Sequence, residues 1–226
     1  MSTSLIPPTG FDTPGWPSHW TLENIQAHVG GVPLKRIRAT PWPGTATEHD
    51  LFEILRREGV CCELVDGVVV EKAMGTYESA LAMALVQLLA PYLAANPVGV
   101  LTGEQGPLRF QPHKVRMPDV GFIRWERFKN RRVPRERVWQ VAPDLAVEIL
   151  SEGNTAAEMD LKLAEYFAGG TRLVWIIDPE QLSAKVCSSP TQSTTLDEYG
   201  ELDGSDVLPG LRIKLADLFN AVRRED

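Results

Sequence analysis

Leu145-Ala146-Val147-Glu148-Ile149-Leu150 is apolar throughout except for one carboxylate, and it is bounded by Pro143-Asp144 before and Ser151-Glu152-Gly153-Asn154 after. A short apolar run closed by turn formers reads as a strand buried on both faces, the kind found in the middle of a sheet covered by helices. Glu148 is out of place there. Strand alternation gives it Ala146 and Leu150 as face-mates, and a carboxylate in such company must shift its pKa or find a cation.

The same anomaly stands upstream in Arg116-Met117-Pro118-Asp119-Val120-Gly121-Phe122-Ile123. A strand over 115–123 places Met117, Asp119, Gly121 and Ile123 on one face, and Gly121 would leave open space for a ligand beside Asp119. Two carboxylates facing the same way on neighbouring strands suit a hard cation of the Mg²⁺ type, which takes one or two carboxylates plus waters and phosphate oxygens. The alternative is a pair of structural salt bridges to arginines such as Arg116 or Arg172.

Downstream, Asn154-Thr155 opens a helix, with Thr155 and Glu158 at capping-box spacing, and Gly169-Gly170 ends it. Lys162 on that helix has two readings. It is an i, i+4 surface partner of Glu158, or it reaches back over the strand end to orient a water and neutralise charge on a phosphoryl group. Leu173–Ile177 is a further apolar strand, closed by Asp178-Pro179. Ala184–Ser188 and Thr194–Leu196 form an antiparallel pair, and a short helix follows near 215–222.

Upstream, residues 1 to about 20 read as an extended arm. A short helix carries Leu22, Ile25 and Val29 and stops at Gly30-Gly31, and Val32–Ile37 is expected as a strand. Thr47 caps a helix running to Arg57. Asp66-Gly67 between Cys61–Val65 and Val68–Lys72 is a type I′ hairpin signal. An apolar helix from about Tyr77 is expected to kink at Pro91, and strands follow at 98–102 and 107–110. The fold class is therefore α/β (α+β), a mixed β-sheet flanked by helices.

The chain has 226 residues, 43% of them apolar, and a net charge of −7. That excludes wholesale disorder and a globally basic nucleic-acid coat, though not a local basic patch. Three cysteines, two of them adjacent, give neither a disulfide framework nor a CxxC metal pair, so a reduced, cytoplasmic setting is expected. The first residues show no signal-peptide pattern. The uncharged stretch after Ser79 has a helical part of roughly 80–95, short of the ~20 residues of a membrane span, so a buried helix and no membrane partner are expected. GxSxG, Walker A, GxGxxG and HExxH patterns are missing, and the four histidines are scattered.

Between the two carboxylate strands lies a basic run: Arg124, Arg127, Lys129, Arg131, Arg132, Arg135 and Arg137, against only Glu126 and Glu136, with Trp125, Phe128 and Trp139 interleaved. It reads either as a solvated loop or as a phosphate-backbone contact beside a metal site. In the second reading Arg127, Lys129, Arg131, Arg132 and Arg135 meet nucleic acid.

Taken together, several blocks resemble one bacterial family, the Uma-two endonucleases, within the PD-(D/E)xK phosphodiesterase superfamily of restriction-endonuclease-like fold. They are Cys62-Glu63-Leu64-Val65-Asp66-Gly67, Met117-Pro118-Asp119-Val120-Gly121-Phe122, 143–151, Lys162 with Tyr166 and Gly170, and 174–179. The resemblance implies a nuclease domain over 48–220, after an N-terminal arm (1–47) and β-hairpin additions and before a short tail (221–226). It implies a Mg²⁺ or Mn²⁺ cofactor held by Asp119, Glu148 and the Ile149 carbonyl, Lys162 as the catalytic lysine, and nucleic acid, expected to be DNA, as substrate. The superfamily's third residue lies two positions after the second carboxylate, where this chain has Leu150, and the resemblance to the family implies that the lysine stands on the following helix, at Lys162. Relatives carry a His near Ser79, which this chain lacks, and Glu78 is either an additional metal ligand or an acidic residue favoured by the helix dipole in the first turn. Glu63 also reads as an outward strand carboxylate. The other functional class is a catalytically weak or inactive nucleic-acid-binding or regulatory protein, and a homodimer is a further expectation.

Overall fold

The computed structural model describes residues 16–223 apart from 18 and 74. The arm expected before residue 16 and the last three residues of the tail lie outside the described residues. In chain order the helices and strands are α1 (Leu22–His28), α2 (Glu48–Glu58), β1 (Cys62–Val65), β2 (Val68–Glu71), α3 (Thr76–Ala95), β3 (Gly99–Gly103), β4 (Leu108–Gln111), β5 (Lys114–Arg116), β6 (Val120–Arg124), β7 (Leu145–Ile149), α4 (Ala156–Ala168), β8 (Leu173–Asp178), β9 (Ser183–Cys187), β10 (Ser193–Leu196), β11 (Glu201–Asp203), β12 (Arg212–Lys214) and α5 (Leu215–Asn220).

Local chemistry sets most of these boundaries. Thr21 with Asn24 and Thr47 with Asp50 form reciprocal caps on α1 and α2, satisfying donors that a helix start leaves unpaired. Asp66 and Gly67 have φ of 49° and 79°, as a type I′ turn requires. At Gly67 a Cβ would lie 2.6 Å from Gly44, so the turn is seated against the preceding loop.

Six strands form a mixed sheet in the order β10-β9-β8-β7-β6-β3. β7 and β8 are parallel, joined through α4, and the other pairs are antiparallel. Val120, Phe122, Leu145 and Val147 pack on α3 and α5. On the opposite face Ala146, Val174 and Ile176 pack on Met159, Leu163 and Tyr166 of α4. α3 is 20 residues long and apolar enough to cross a membrane by length and composition, but its Leu81, Leu85 and Leu89 are fully buried in this core. Pro91 stands inside it.

A second sheet has the order β2-β1-β5-β4. Its Cys62, Leu64, Val69 and Val115 pack on α2, and its Val65, Val68 and Val70 share a cluster with Ile25 and Val29 of α1. Two expectations are corrected here. Leu34–Arg36 is a 3₁₀ turn rather than a strand, with only a bridge from Ile37 to Val70. Pro33 lacks the N–H a ladder needs. The strand expected over 115–123 is two strands in two different sheets, β5 and β6. Pro118 again withholds a ladder donor, and the chain crosses from one sheet to the other through Met117-Pro118-Asp119.

Candidate active site

Asp119 sits at that crossing. Its backbone N–H donates to the Val147 carbonyl at 2.9 Å. The regular β6–β7 register ends with Val120 against Val147, and the Asp119 N–H reaches that same Val147 carbonyl one residue out of step. The Ile149 N–H donates to the Asp119 carboxylate, which brings that carboxylate beside β7 at the residue that follows Glu148.

Both carboxylates are buried and fully engaged. Asp119 Oδ1 accepts from Lys72 Nζ at 2.5 Å and Oδ2 from the Ile149 N–H at 2.6 Å. Glu148 Oε2 accepts from Lys162 Nζ at 2.9 Å and Oε1 from the Tyr166 hydroxyl at 2.6 Å. The arginine partners considered from sequence are elsewhere, Arg116 on Glu63 and Glu165, and Arg172 on Asp206.

Lys162 is no surface residue. It is 3% exposed and its ammonium also lies 3.4 Å from Glu63. Glu158, the supposed surface partner, is bound by both Nη atoms of Arg36 at 2.8 Å. It does not close a capping box, although Thr155 does cap Glu158's N–H. Glu63 is 1% exposed rather than outward, and accepts from Arg116 and from the Met117 N–H.

One rule explains this set. The β1–β5 and β1–β2 registers put Glu63, Arg116 and Lys114 on one face of the second sheet, and alternation adds Lys72. That face looks onto α4, whose Glu158, Lys162 and Glu165 recur at helical spacing. The interface between the layers is therefore a ladder of buried charges, with Lys114 bound to Glu165 at 2.8 Å.

Burial works against the Glu63 charge, but Lys162 and Arg116 outweigh it and hold the carboxyl down at about 2. Burial also works against the Lys162 ammonium, yet Glu148 and Glu63 keep its pKa above the ordinary lysine value. Glu148 goes the other way. Burial raises it, Lys162 offsets part of the rise, and Asp119 adds to it. Burial and Glu148 push the Tyr166 phenol well up, so it remains a donor.

Three further expectations change. Glu78 does not join the pair, because its carboxylate accepts from the Gly75 N–H at 2.9 Å and caps α3. The space beside Gly121 is filled, since a Cβ there would lie 2.6 Å from Thr102 Oγ1. The basic run is not beside the carboxylates. It leaves the far end of β6, about 16 Å from Asp119 at the strand's rise per residue. Arg127 there holds Asp144 and the Gly170 carbonyl, Arg131 pairs with Glu126, and Lys129, Arg132 and Arg135 are exposed.

Among the described residues no three His, Cys, Asp or Glu side chains converge on one point. The oxygens available to a cation are those of Asp119 and Glu148 and the Ile149 carbonyl. A strand residue's N–H and C=O point to the same neighbour, and the Ile149 N–H points to Asp119, where Pro118 offers no donor. An all-oxygen set of this size, completed by water, fits Mg²⁺ or Mn²⁺. Lys72 was missed from sequence. Its signal was a lysine in step with the buried Val68 and Val70.

Comparisons with known proteins follow the same line. The sequence model of the family Uma2, described as "Putative restriction endonuclease", matches residues 49–216. A solved structure, described as "a putative nuclease belonging to DUF820 from Anabaena variabilis ATCC 29413", superposes with a TM-score of 0.65 at 21% identity. The match covers 77% of this chain and 98% of that one, which shows a shared fold. No curated protein matches in sequence.

Proposed function

This chain belongs to the Uma2 family, and from that membership we propose that it hydrolyses phosphodiester bonds of nucleic acid, DNA foremost, with Mg²⁺ or Mn²⁺ held by Asp119, Glu148 and the Ile149 carbonyl. The observation that carries this reading is the buried pair of carboxylates at the end of β7, Glu148 in the strand and Asp119 bound to the N–H of the adjacent Ile149. A bound divalent cation supplies an acidified water and charge neutralisation at the phosphoryl group. Tyr166 and Lys162 fix the rotamer of Glu148, and Lys162 offsets part of the rise that burial imposes on it. Glu63 in turn holds Lys162, and Arg116 holds Glu63. The Ile149 N–H orients Asp119. Lys129, Arg131, Arg132 and Arg135 are proposed as backbone contacts remote from the cut.

The test is Mn²⁺ titration together with cleavage of plasmid and single-stranded DNA, run on the wild type, Asp119→Asn and Glu148→Gln. The wild type should bind Mn²⁺ and cut, and both variants should lose binding and cutting. Cleavage by Asp119→Asn at the wild-type rate overturns the assignment. A second reading, a catalytically silent nucleic-acid-binding or regulatory module, is favoured by one observation. Each of the four carboxylate oxygens already has an internal donor. Wild-type protein that binds DNA but neither binds Mn²⁺ nor cleaves would select it.

A further inference from the structure

We propose that Lys72 is the lysine that meets the scissile phosphate, and that Lys162 is a positioning residue behind it. The inference rests on the nuclease reading of the Asp119–Glu148 pair. Lys162 has carboxylates on two sides, Glu148 and Glu63, and it carries Glu148 from within the layer interface. Lys72 stands at the other edge of the pair. It forms part of the wall of a cleft of about 390 Å³, together with Cys61, Thr76, Ser79 and Glu104. Asp119 borders an adjoining cleft of about 310 Å³ that shares Ser79 and Glu104. Lys162 lines neither cleft, whereas Lys72, its side chain 4% exposed and locked on Asp119, stands in the wall of one. A larger cavity of about 970 Å³ lies between the α2 start and the β4–β5 turn and includes neither carboxylate.

Local charge gives the second reason. The two carboxylates, Asp119 and Glu148, already face one ammonium each, Lys72 and Lys162. A divalent cation taken up by Asp119 adds two positive charges and repels the ammonium now 2.5 Å from Oδ1. Lys72 ends its ladder with a backbone bond to Cys61, and its four-carbon stem can carry the ammonium toward the cleft. The anion it finds there is a non-bridging oxygen of the incoming phosphodiester. Lys72 thus serves as the resting counter-ion of Asp119 and, once a cation is bound, as the electrostatic partner of the phosphoryl group as water adds and the leaving oxygen departs.

The experiment compares full-length wild type, Lys72→Met and Lys72→Arg by Mn²⁺ titration and single-turnover plasmid cleavage. Lys72→Met should bind Mn²⁺ at least as tightly as wild type, because a competing ammonium is gone, yet cleave roughly 10²-fold more slowly. Lys72→Arg should recover part of the rate. A Lys72→Met variant that cuts within about threefold of wild type, or faster, overturns the proposal and makes Lys72 a counter-ion or a plug. A wild type that neither binds Mn²⁺ nor cuts removes the nuclease reading itself, and the proposal with it. Amine labelling of wild-type protein stands independent of variant folding. Mg²⁺ should raise the reactivity of Lys72, and a non-cleavable phosphorothioate duplex should mask it again. Labelling of Lys72 unchanged by either addition overturns the proposal.

Discussion

At the residue scale, Glu148 is held by one charged donor and one neutral donor, and the two make different demands. Lys162 neutralises Glu148 and Glu63 at once. Removing one partner of a buried ion pair leaves an uncompensated charge, at a cost of about 3–5 kcal/mol. Lys162→Met should therefore lower the urea midpoint strongly, whereas a surface i, i+4 lysine would contribute only ~0.3–0.5 kcal/mol. Equilibrium denaturation at constant m-value checks this, and a change under about 1 kcal/mol would mean that the buried pairing of Lys162 adds no net stability. Tyr166→Phe removes a hydrogen bond to a buried carboxylate and should cost about 1.5–3 kcal/mol. It should also drive Glu148 further up, so Mn²⁺ binding, which needs the ionised carboxylate, should saturate at a higher pH than in the wild type.

At the element scale, α4 shows what alternation and helical spacing reveal and what they leave open. The strand carrying Glu148, the helix after it and the hairpin at Asp66-Gly67 were legible because burial and turn chemistry act locally. Within β7, alternation also grouped Glu148 correctly with Ala146 and Leu150, on the face that meets α4. It did not say which face meets water, since Glu63, Arg116, Glu158 and Glu165 are charged residues buried only because a second sheet lies over α4. That packing comes from residues far apart in sequence, Arg36 and Glu158 among them. The crossing at Pro118 was hidden for the same reason, since one apolar run serves two sheets. Arg36→Met should strand Glu158 and cost about 3–5 kcal/mol, while Arg36→Met with Glu158→Gln should recover much of the loss. A double variant as unstable as the single would assign Arg36 to packing alone. For the loop after β6, changing Arg131, Arg132 and Arg135 together to Ala should weaken binding of every DNA sequence alike. It should also reduce the salt slope by about two to three. An unchanged slope makes the loop a solvated connection.

At the scale of the whole molecule, the six-stranded layer has an apolar core on its α3–α5 face but meets the second sheet largely through charge. Stability of that junction must then follow pH. Glu63 sits near 2 in the folded protein against an ordinary 4.5, and Glu158 is also lowered, with Arg36 overcoming its burial. For a carboxyl lowered by folding, the native state binds fewer protons than the unfolded chain across the interval between the two values. Stability is therefore full above the ordinary value and is lost as pH falls toward the folded one. Glu148 has the opposite sign. Its raised value makes ionisation cost stability as pH rises through the interval above 4.5, which places its cost on the neutral side rather than the acid side. The acid limb should thus belong to Glu63 and Glu158. Hydrogen exchange on lowering pH from 5 toward 2 should show amides of β1 and β5 losing protection before those of β7 and β8, whose core is apolar. Glu63→Gln should lower stability at neutral pH, because Arg116 and Lys162 lose an anion. It should also flatten the fall between about 4.5 and 2, because the variant has no proton to take up there. A variant that loses stability with acid as steeply as the wild type would move the acid response away from the Glu63 ladder and onto other carboxylates.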